Sequence, residues 1–153
     1  MGILLPLTMG AYLLLSLAVG AGAPQLRSGW AIAVLADAAF LAAWYWVLLR
    51  LVGRRERYVQ TASAIFSLQT LLAAPGIVEL WLSQWRLTDA TARSSSAVAM
   101  LDLALMLAVT GWTLIATSYI VRAALERTVV LCWILAFAQM VAEGMLLSST
   151  YSG

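Results

Sequence analysis

Five long hydrophobic stretches, separated by short polar segments, constrain this chain more than any other feature of its sequence. The stretches cover residues 3–22, 30–52, 58–85, 97–121 and 128–149. A helix needs roughly 20 mostly apolar residues to cross a bilayer, and each stretch reaches that length. Short connections place consecutive helices side by side in antiparallel order. The pattern predicts an all-α, polytopic transmembrane helical bundle of five spans, with residues 1–153 forming a single integral membrane domain.

The composition indicates what surrounds these helices. Hydrophobic residues make up 63% of the chain and charged residues only 10%, whereas a soluble domain carries about 25% charged residues. A core of this size cannot hide so much apolar surface, so a lipid bilayer must cover it. The composition therefore excludes a soluble enzyme, a nucleic-acid-binding domain and a disordered chain. We expect the lipid bilayer as a partner, and no nucleic acid.

The residue types needed for most enzyme chemistry are missing. The chain contains no histidine and a single cysteine, Cys132. Glycine-rich phosphate loops, clusters of metal ligands and nucleophile elbows are absent from the sequence. Cys132 lies among apolar residues, where a thiol usually serves packing. We therefore expect a protein that is not an enzyme, with no catalytic residues, no metal site and no cofactor.

The arginines are distributed unevenly over the connections. The second and fourth connections together hold six arginines, namely Arg50, Arg54, Arg55, Arg57, Arg122 and Arg127. The first and third hold three, namely Arg27, Arg86 and Arg93. Cytoplasmic loops carry the excess of basic residues in membrane proteins. The distribution predicts a cytoplasmic N-terminus and a C-terminus outside the cell.

The third stretch carries a stripe of small and polar residues and an internal proline. The stripe is formed at spacings of three and four by Gln60, Ser63, Ser67 and Thr70. Such a stripe lets two membrane helices approach closely and exchange hydrogen bonds, so it predicts a helix-packing seam, with a substrate path as the alternative. Pro75-Gly76 predicts a kink in this helix, because proline removes a backbone hydrogen bond. A broken helix that lines a binding site is the alternative there.

Acidic residues inside four of the stretches form the most unusual feature of the sequence. They are Asp37, Glu79, Asp102 and Glu143, each from a different stretch. Counted by the rise of an α-helix, all four lie roughly 8–12 Å along their stretches from the side of the bundle whose connections hold fewer arginines. An ionisable residue at the centre of a membrane helix costs about 2.5 kcal/mol or more. Four of them at one height predict an outward-facing polar or cation-binding pocket, which Gln139 extends by one turn.

Two other interpretations of these acids remain open. Each acid could pair with one of the arginines on the same side, or donate a hydrogen bond to a neighbouring helix when protonated. Some of the acids could instead contact a partner subunit. In the first case a neutral substitution would strand an arginine, and in the pocket it would relieve repulsion.

The segment RRERYVQTASAIFSLQTLLAAP leads from the second connection into the third stretch. It resembles a pattern in small bacterial membrane proteins, in which an arginine-aromatic-x-Gln-Thr entry leads into a small-residue span that ends at proline. The matching positions are Arg57, Tyr58, Gln60, Thr61 and Pro75. With the five short-loop stretches, the chain resembles the Yip-type family of five-span integral membrane proteins. The resemblance implies a non-enzymatic protein, here in a bacterial inner membrane, that acts through partners.

These observations support two functional hypotheses. The first is a small non-catalytic subunit or scaffold of a membrane complex, either as a homo-oligomer or with other membrane subunits. The second is a cation- or proton-linked permease or channel that uses the acidic pocket. The first follows from the seam and the missing chemistry, and the second follows from the intramembrane acids.

Overall fold

A computed structural model describes residues 3–21, 29–88 and 96–151, apart from the side chains of residues 20, 21, 76, 79–88, 150 and 151. Its secondary structure in these ranges is entirely helical. The helices are α1 (Leu4–Ala21), α2 (Trp30–Leu51), α3 (Tyr58–Thr88), α4 (Ser96–Leu125) and α5 (Val129–Tyr151). One 3-10 turn, Arg55–Arg57, precedes α3. The all-α class predicted from the sequence is confirmed for this part of the chain.

Three helical segments are long and apolar enough to cross a membrane. They are Trp30–Leu51, Ser96–Leu125 and Val129–Ser149. The apolar part of α1, Leu4–Val19, is shorter than a typical span. The presence of membrane-crossing helices is therefore supported, and the count of five spans stays a prediction.

The helix α4 is longer than the stretch 97–121 from which it was predicted. It continues through Arg122 to Leu125, because Arg, Ala and Leu are strong helix formers even where the apolar run has ended. All of its buried residues lie in its last third, between Thr117 and Leu125. The half that begins at Ser96 has no buried residue. The fully buried part of the helix is therefore its C-terminal third, whereas the N-terminal half packs through half-buried residues such as Val98 and Leu105.

The five described helices close into a ring. Each helix packs against the next one along the chain, and α5 returns to pack against α2. The most extensive packing is between α1 and α3. The helix α2 packs against three other helices, namely α1, α3 and α5. The predicted adjacency of consecutive helices is confirmed.

The core of the bundle is built around one face of α2. Leu41, Tyr45 and Leu49 recur every four residues on this face and are fully buried, as expected for one stripe of a helix. Phe66 of α3 and Val121 of α4 pack against them. Large apolar side chains also cover the outside of the bundle, among them Leu14, Leu71, Met100, Leu107, Trp112 and Val130. So much exposed apolar surface is typical of a protein that lipid surrounds.

The helix α3 runs through Pro75 without interruption. The broken helix considered from the sequence is therefore not observed. Proline has no N–H group, so the carbonyl of Leu71, four residues earlier, lacks its helical donor. The predicted kink stays a prediction.

The two arginine-rich connections meet at one end of the bundle. The guanidinium groups of Arg54 and Arg57 both form ion pairs with Glu126. Arg57 also donates a hydrogen bond from Nη1 to the carbonyl of Ala123 at 2.8 Å. Glu126 follows the last residue of α4 and has a φ of 51°, a left-handed conformation that is common for glycine and rare for other residues. We call this end of the molecule the arginine end.

Candidate functional site

The side chain of Asp37 lies inside the bundle. It is 5% exposed because α2 places it on the buried face, one turn before Leu41. The hydroxyl group of Tyr12, on α1, donates a hydrogen bond to Oδ2 of Asp37. A buried carboxyl group needs such a partner, because burying a polar group without a hydrogen bond costs on the order of 2–7 kcal/mol.

Glu143 of α5 is the second acid at this site. Its carboxyl group lies within hydrogen-bonding range of the carboxyl group of Asp37. Gln69 of α3 donates a hydrogen bond from Nε2 to Oε1 of Glu143 at 3.2 Å, and the side chain of Gln139 is a further hydrogen-bonding neighbour. The site therefore joins α1, α2, α3 and α5. We call Asp37 and Glu143 the carboxyl pair.

One oxygen of the carboxyl pair lacks a donor. Oδ1 of Asp37 is buried and accepts no hydrogen bond from the described groups. The remaining neighbour of Asp37 is the Glu143 carboxyl group, which can donate only when it carries a proton. Two like charges this close in a region of low dielectric cannot both stay ionised. The geometry therefore suits a pair of carboxyl groups that share one proton.

A line of polar groups extends from the carboxyl pair towards the arginine end. Gln139 is adjacent to Glu143, and its Oε1 accepts a hydrogen bond from the hydroxyl group of Tyr45. Tyr45 follows Asp37 by two turns of α2, or about 12 Å. Beyond Tyr45 the core is filled by Leu49, Val121, Leu125 and Cys132, and we call these four residues the apolar barrier. The buried hydroxyl groups of Thr61 and Ser118 towards this end donate to backbone carbonyls one turn earlier in the chain.

The structure brings together three of the residues assigned to the predicted pocket, namely Asp37, Gln139 and Glu143. That they form a pocket stays a prediction. Asp102 is half-buried on α4. The side chain of Glu79 lies outside the described residues. Arg27, Arg93 and the side chain of Arg86 also lie outside them, so pairing of the acids with these arginines stays an open interpretation.

Three members of the site were missed by the sequence argument, namely Tyr12, Tyr45 and Gln69. They carry no charge, so their position inside a hydrophobic stretch gives no comparable signal. Tyrosine is also common at the ends of membrane helices, which masks its role here. The spacing of Tyr45, eight residues after Asp37 on the same helical face, is the one signal that could have linked it to the acids.

The stripe predicted as a packing seam on α3 is buried to different degrees along its length. Gln60 is exposed, Ser63 is buried, and Ser67 and Thr70 are half-buried. Thr70 donates its hydrogen bond within α3, to the carbonyl of Phe66 at 2.7 Å. Oγ of Ser63 has no hydrogen-bond partner among the described residues. At these two positions the stripe therefore forms no described hydrogen bond to another helix.

Two cavities lie at the arginine end. A cavity of about 320 Å³ between α3 and α4 contains Arg57 and Gln60 in its lining. A second cavity, of about 250 Å³, separates α4 from α5. Its walls are formed by Ile115, Ser118, Tyr119 and Arg122 of α4 and by Val129, Cys132 and Trp133 of α5. We call the second cavity the α4–α5 groove.

Comparisons with known proteins give no relative for this chain. No protein-family model, no curated protein and no solved structure matches it. The resemblance to the Yip-type family of five-span proteins therefore stays a prediction from the sequence.

Proposed function

We propose that this chain is an integral membrane protein of five spans, and that its carboxyl pair binds and releases a proton as a step of proton-linked transport. The proposal rests on one observation, which is the buried Oδ1 of Asp37 beside the Glu143 carboxyl group. A proton on Glu143 gives this oxygen a donor. When the proton leaves, the two carboxylates face each other as like charges. Intramembrane acids of this kind line the proton pathways of pumps and transporters.

The set of side chains favours a proton over a metal ion. Within the described part of the chain, the hydrogen bonds from other side chains to the carboxyl pair come from the neutral groups of Tyr12, Gln69 and Gln139. Among the described residues, no three side chains of His, Cys, Asp or Glu converge on one point. Two carboxyl groups are enough to hold a proton, whereas divalent ions in proteins are usually held by more oxygen ligands.

The apolar barrier supports a transporter over an open pore. The polar line from Tyr12 to Tyr45 ends where Leu49 and Val121 fill the core. The carboxyl pair lies about 10 Å from the Trp30 end of α2 and about 20 Å from Arg50. With the arginine end in the cytoplasm of a bacterial cell, the pair faces outwards and the barrier separates it from the cytoplasm. The N-terminus is then cytoplasmic and the C-terminus lies outside.

The role of subunit or scaffold stays a prediction, and no described contact supports it specifically. Five helices leave little room for a complete substrate path, so we propose that the protein works as a homo-oligomer. The mass of the particle in mild detergent measures this directly. A strictly monomeric particle that still transports protons would contradict the oligomer and leave the proton site intact.

Proton uptake into vesicles tests the proposed function. The purified chain is reconstituted with a pH-sensitive dye inside, and an acid pulse is applied outside. Wild-type protein should acidify the interior, and Asp37→Asn and Glu143→Gln should each abolish this. The matched control is Glu56→Gln, which removes an exposed acid from the 3-10 turn and should leave the uptake unchanged.

The shared proton has its own spectroscopic signature. Infrared difference spectra should show the C=O band of a protonated carboxyl group at neutral pH, and Glu143→Gln should remove it while Glu56→Gln keeps it. Uptake that survives in both pair variants, or a wild-type protein without the band, would overturn the proposal. Uptake that depends on sodium or potassium rather than on pH would assign the site to a monovalent cation.

A further inference from the structure

The α4–α5 groove combines one charged side chain with an apolar floor. Ile115, Ser118, Tyr119 and Arg122 follow one another at helical spacing and form a single stripe of α4, and Val129, Cys132 and Trp133 form the facing stripe of α5. Arg122 lies at the arginine end, and Ile115 lies about 10 Å deeper along α4. The groove therefore changes from basic to apolar along the direction in which a lipid molecule changes from headgroup to acyl chain.

Arg122 has no acidic partner among the described residues. The described ion pairs join Arg54 and Arg57 to Glu126, and the guanidinium group of Arg50 lies 4.9 Å from the centre of the Trp46 ring. The cavity between α3 and α4 contains Arg57 in its lining, whose guanidinium group is already engaged by Glu126 and by the carbonyl of Ala123. The groove is thus a cavity at this end in which a described guanidinium group is left to bind an external anion.

From these observations we propose that the α4–α5 groove binds an anionic glycerophospholipid. The Arg122 guanidinium group contacts the phosphate, the Tyr119 hydroxyl group donates to the headgroup, and an acyl chain lies along Ile115 and Trp133. This inference rests on the proposed membrane embedding and is independent of the proton site. Basic pockets between membrane helices on the cytoplasmic side are suited to anionic lipid headgroups.

The size and exposure of the groove fit this ligand. Its volume of about 250 Å³ equals the space of about eight water molecules, at about 30 Å³ each. That is enough for a phosphate with its glycerol and too little for a whole lipid, so the chains must extend outside. Ile115, Tyr119 and Trp133 are all partly open to the outer surface of the bundle, where acyl chains would continue along them.

Lipid binding by the full chain tests the proposal. The protein is purified in a zwitterionic detergent, and its bound phosphatidylglycerol and phosphatidylcholine are counted by native mass spectrometry during titration with each lipid. The wild-type protein should bind phosphatidylglycerol more tightly than phosphatidylcholine. Arg122→Gln should weaken phosphatidylglycerol binding about fivefold, the loss expected for one arginine at a membrane surface.

The matched control is Arg55→Gln, which removes one exposed arginine from the 3-10 turn at the same end. It should leave the affinity for phosphatidylglycerol within about twofold of wild type, because Arg55 does not line the groove. Ile115→Trp keeps every charge and fills the groove, so it should weaken the binding of the same lipid. Both variants replace residues on the surface and should fold as the wild type does.

Three outcomes would overturn the proposal. Equal losses in Arg122→Gln and Arg55→Gln would assign the binding to diffuse charge. Displacement of phosphatidylglycerol by inorganic phosphate at equal concentration would indicate an anion site without lipid specificity. Equal affinity for the two lipids would exclude headgroup selection. A failure of the proton site is recognised separately, because Asp37→Asn would then transport protons and still bind phosphatidylglycerol.

Discussion

The carboxyl group of Glu143, on α5, lies within hydrogen-bonding range of the carboxyl group of Asp37, on α2, inside the helical bundle. The two residues come from opposite ends of the sequence, and the contact exists because α5 returns to pack against α2. A single proton can satisfy the pair, and its removal leaves two charges in contact. The stability of the fold and the protonation of the pair are therefore coupled.

Tyr12→Phe should destabilise the protein. It removes the hydroxyl group that donates to Oδ2 of Asp37 and leaves this buried oxygen without its partner, at a cost of about 1–3 kcal/mol. Thermal unfolding in detergent measures the change. The control is Tyr58→Phe, whose hydroxyl group makes no described hydrogen bond to protein and whose loss should cost less than about 0.5 kcal/mol. Equal effects of the two changes would contradict the assigned hydrogen bond.

Glu143→Gln should keep the fold and leave its stability at neutral pH unchanged or slightly higher. The amide can donate to Asp37 without needing a shared proton, so like-charge repulsion disappears. If the acids instead pair with Arg27, Arg86 or Arg93, the same change strands a cation and should lower the free energy of unfolding by about 3–5 kcal/mol. Denaturation of the two proteins at neutral pH and at pH 9 separates the two cases.

Leu49→Ala should be strongly destabilising. Leu49 is 1% exposed in the apolar barrier, and truncation of a buried leucine costs about 2–5 kcal/mol. Leu51, two residues later on the same helix, is 78% exposed, so Leu51→Ala serves as the matched control with an effect within about 0.5 kcal/mol. Unfolding in detergent compares them. A loss in Leu51→Ala as large as that in Leu49→Ala would contradict the inward orientation of this face.

The ion pairs at the arginine end should make stability depend on pH. Hydrogen bonds from Arg54 and then Arg57 hold the pKa of the Glu126 carboxyl group below its ordinary value of 4.5. A group whose pKa is lowered by folding stabilises the fold above its unfolded pKa, and this contribution disappears as the pH falls through the folded pKa. We therefore expect stability to fall as the pH drops below 4.5, and to fall less in Glu126→Gln.

The control for this prediction is Glu56→Gln. Glu56 is exposed in the 3-10 turn and takes part in none of the described ion pairs. Its replacement should leave the acid dependence of the melting temperature as in the wild type. If the melting temperature of Glu126→Gln falls at acid pH as much as that of the wild type, the ion pairs contribute nothing to stability in solution.

Glu126→Gly should be more stable than Glu126→Gln. Both changes remove the ion pairs with Arg54 and Arg57, but only glycine adopts the left-handed φ of 51° without strain. The difference should be about 0.4–1 kcal/mol in favour of glycine, after its greater freedom in the unfolded chain has been counted. Thermal unfolding of the two variants side by side measures it. The opposite order would mean that glutamine tolerates this conformation.

The helices could be predicted from the sequence because apolar length alone specifies them. The stretch 30–52 corresponds to the helix Trp30–Leu51 almost residue for residue, since polar residues at both ends mark where the apolar run stops. The helix α4 continues to Leu125, past the predicted span 97–121, because Arg122 and the residues after it are strong helix formers. Hydropathy therefore locates the apolar core of a helix better than it locates the ends.

The depth of the site along the helices could be predicted from the sequence, whereas the residues that form it could be predicted only in part. Counting residues from the helix ends put Asp37 and Glu143 at one depth, and the structure brings them together. The same counting puts Asp102 at that depth, and Asp102 is half-buried on α4. Depth follows from the helical rise, but the rotation of each helix about its own axis depends on packing with its neighbours. A single sequence does not carry that information for helices that are apolar all round.

The uneven burial of α4 has a consequence for substitutions along it. Its fully buried residues lie in its last third, from Thr117 to Leu125, while its N-terminal half is at most half-buried. A change in the last third therefore disturbs closely packed neighbours, whereas a change in the N-terminal half acts mainly on the exposed surface. Val121 and Leu125 form part of the apolar barrier. Repacking at these two residues reaches the boundary between Tyr45 and the arginine end.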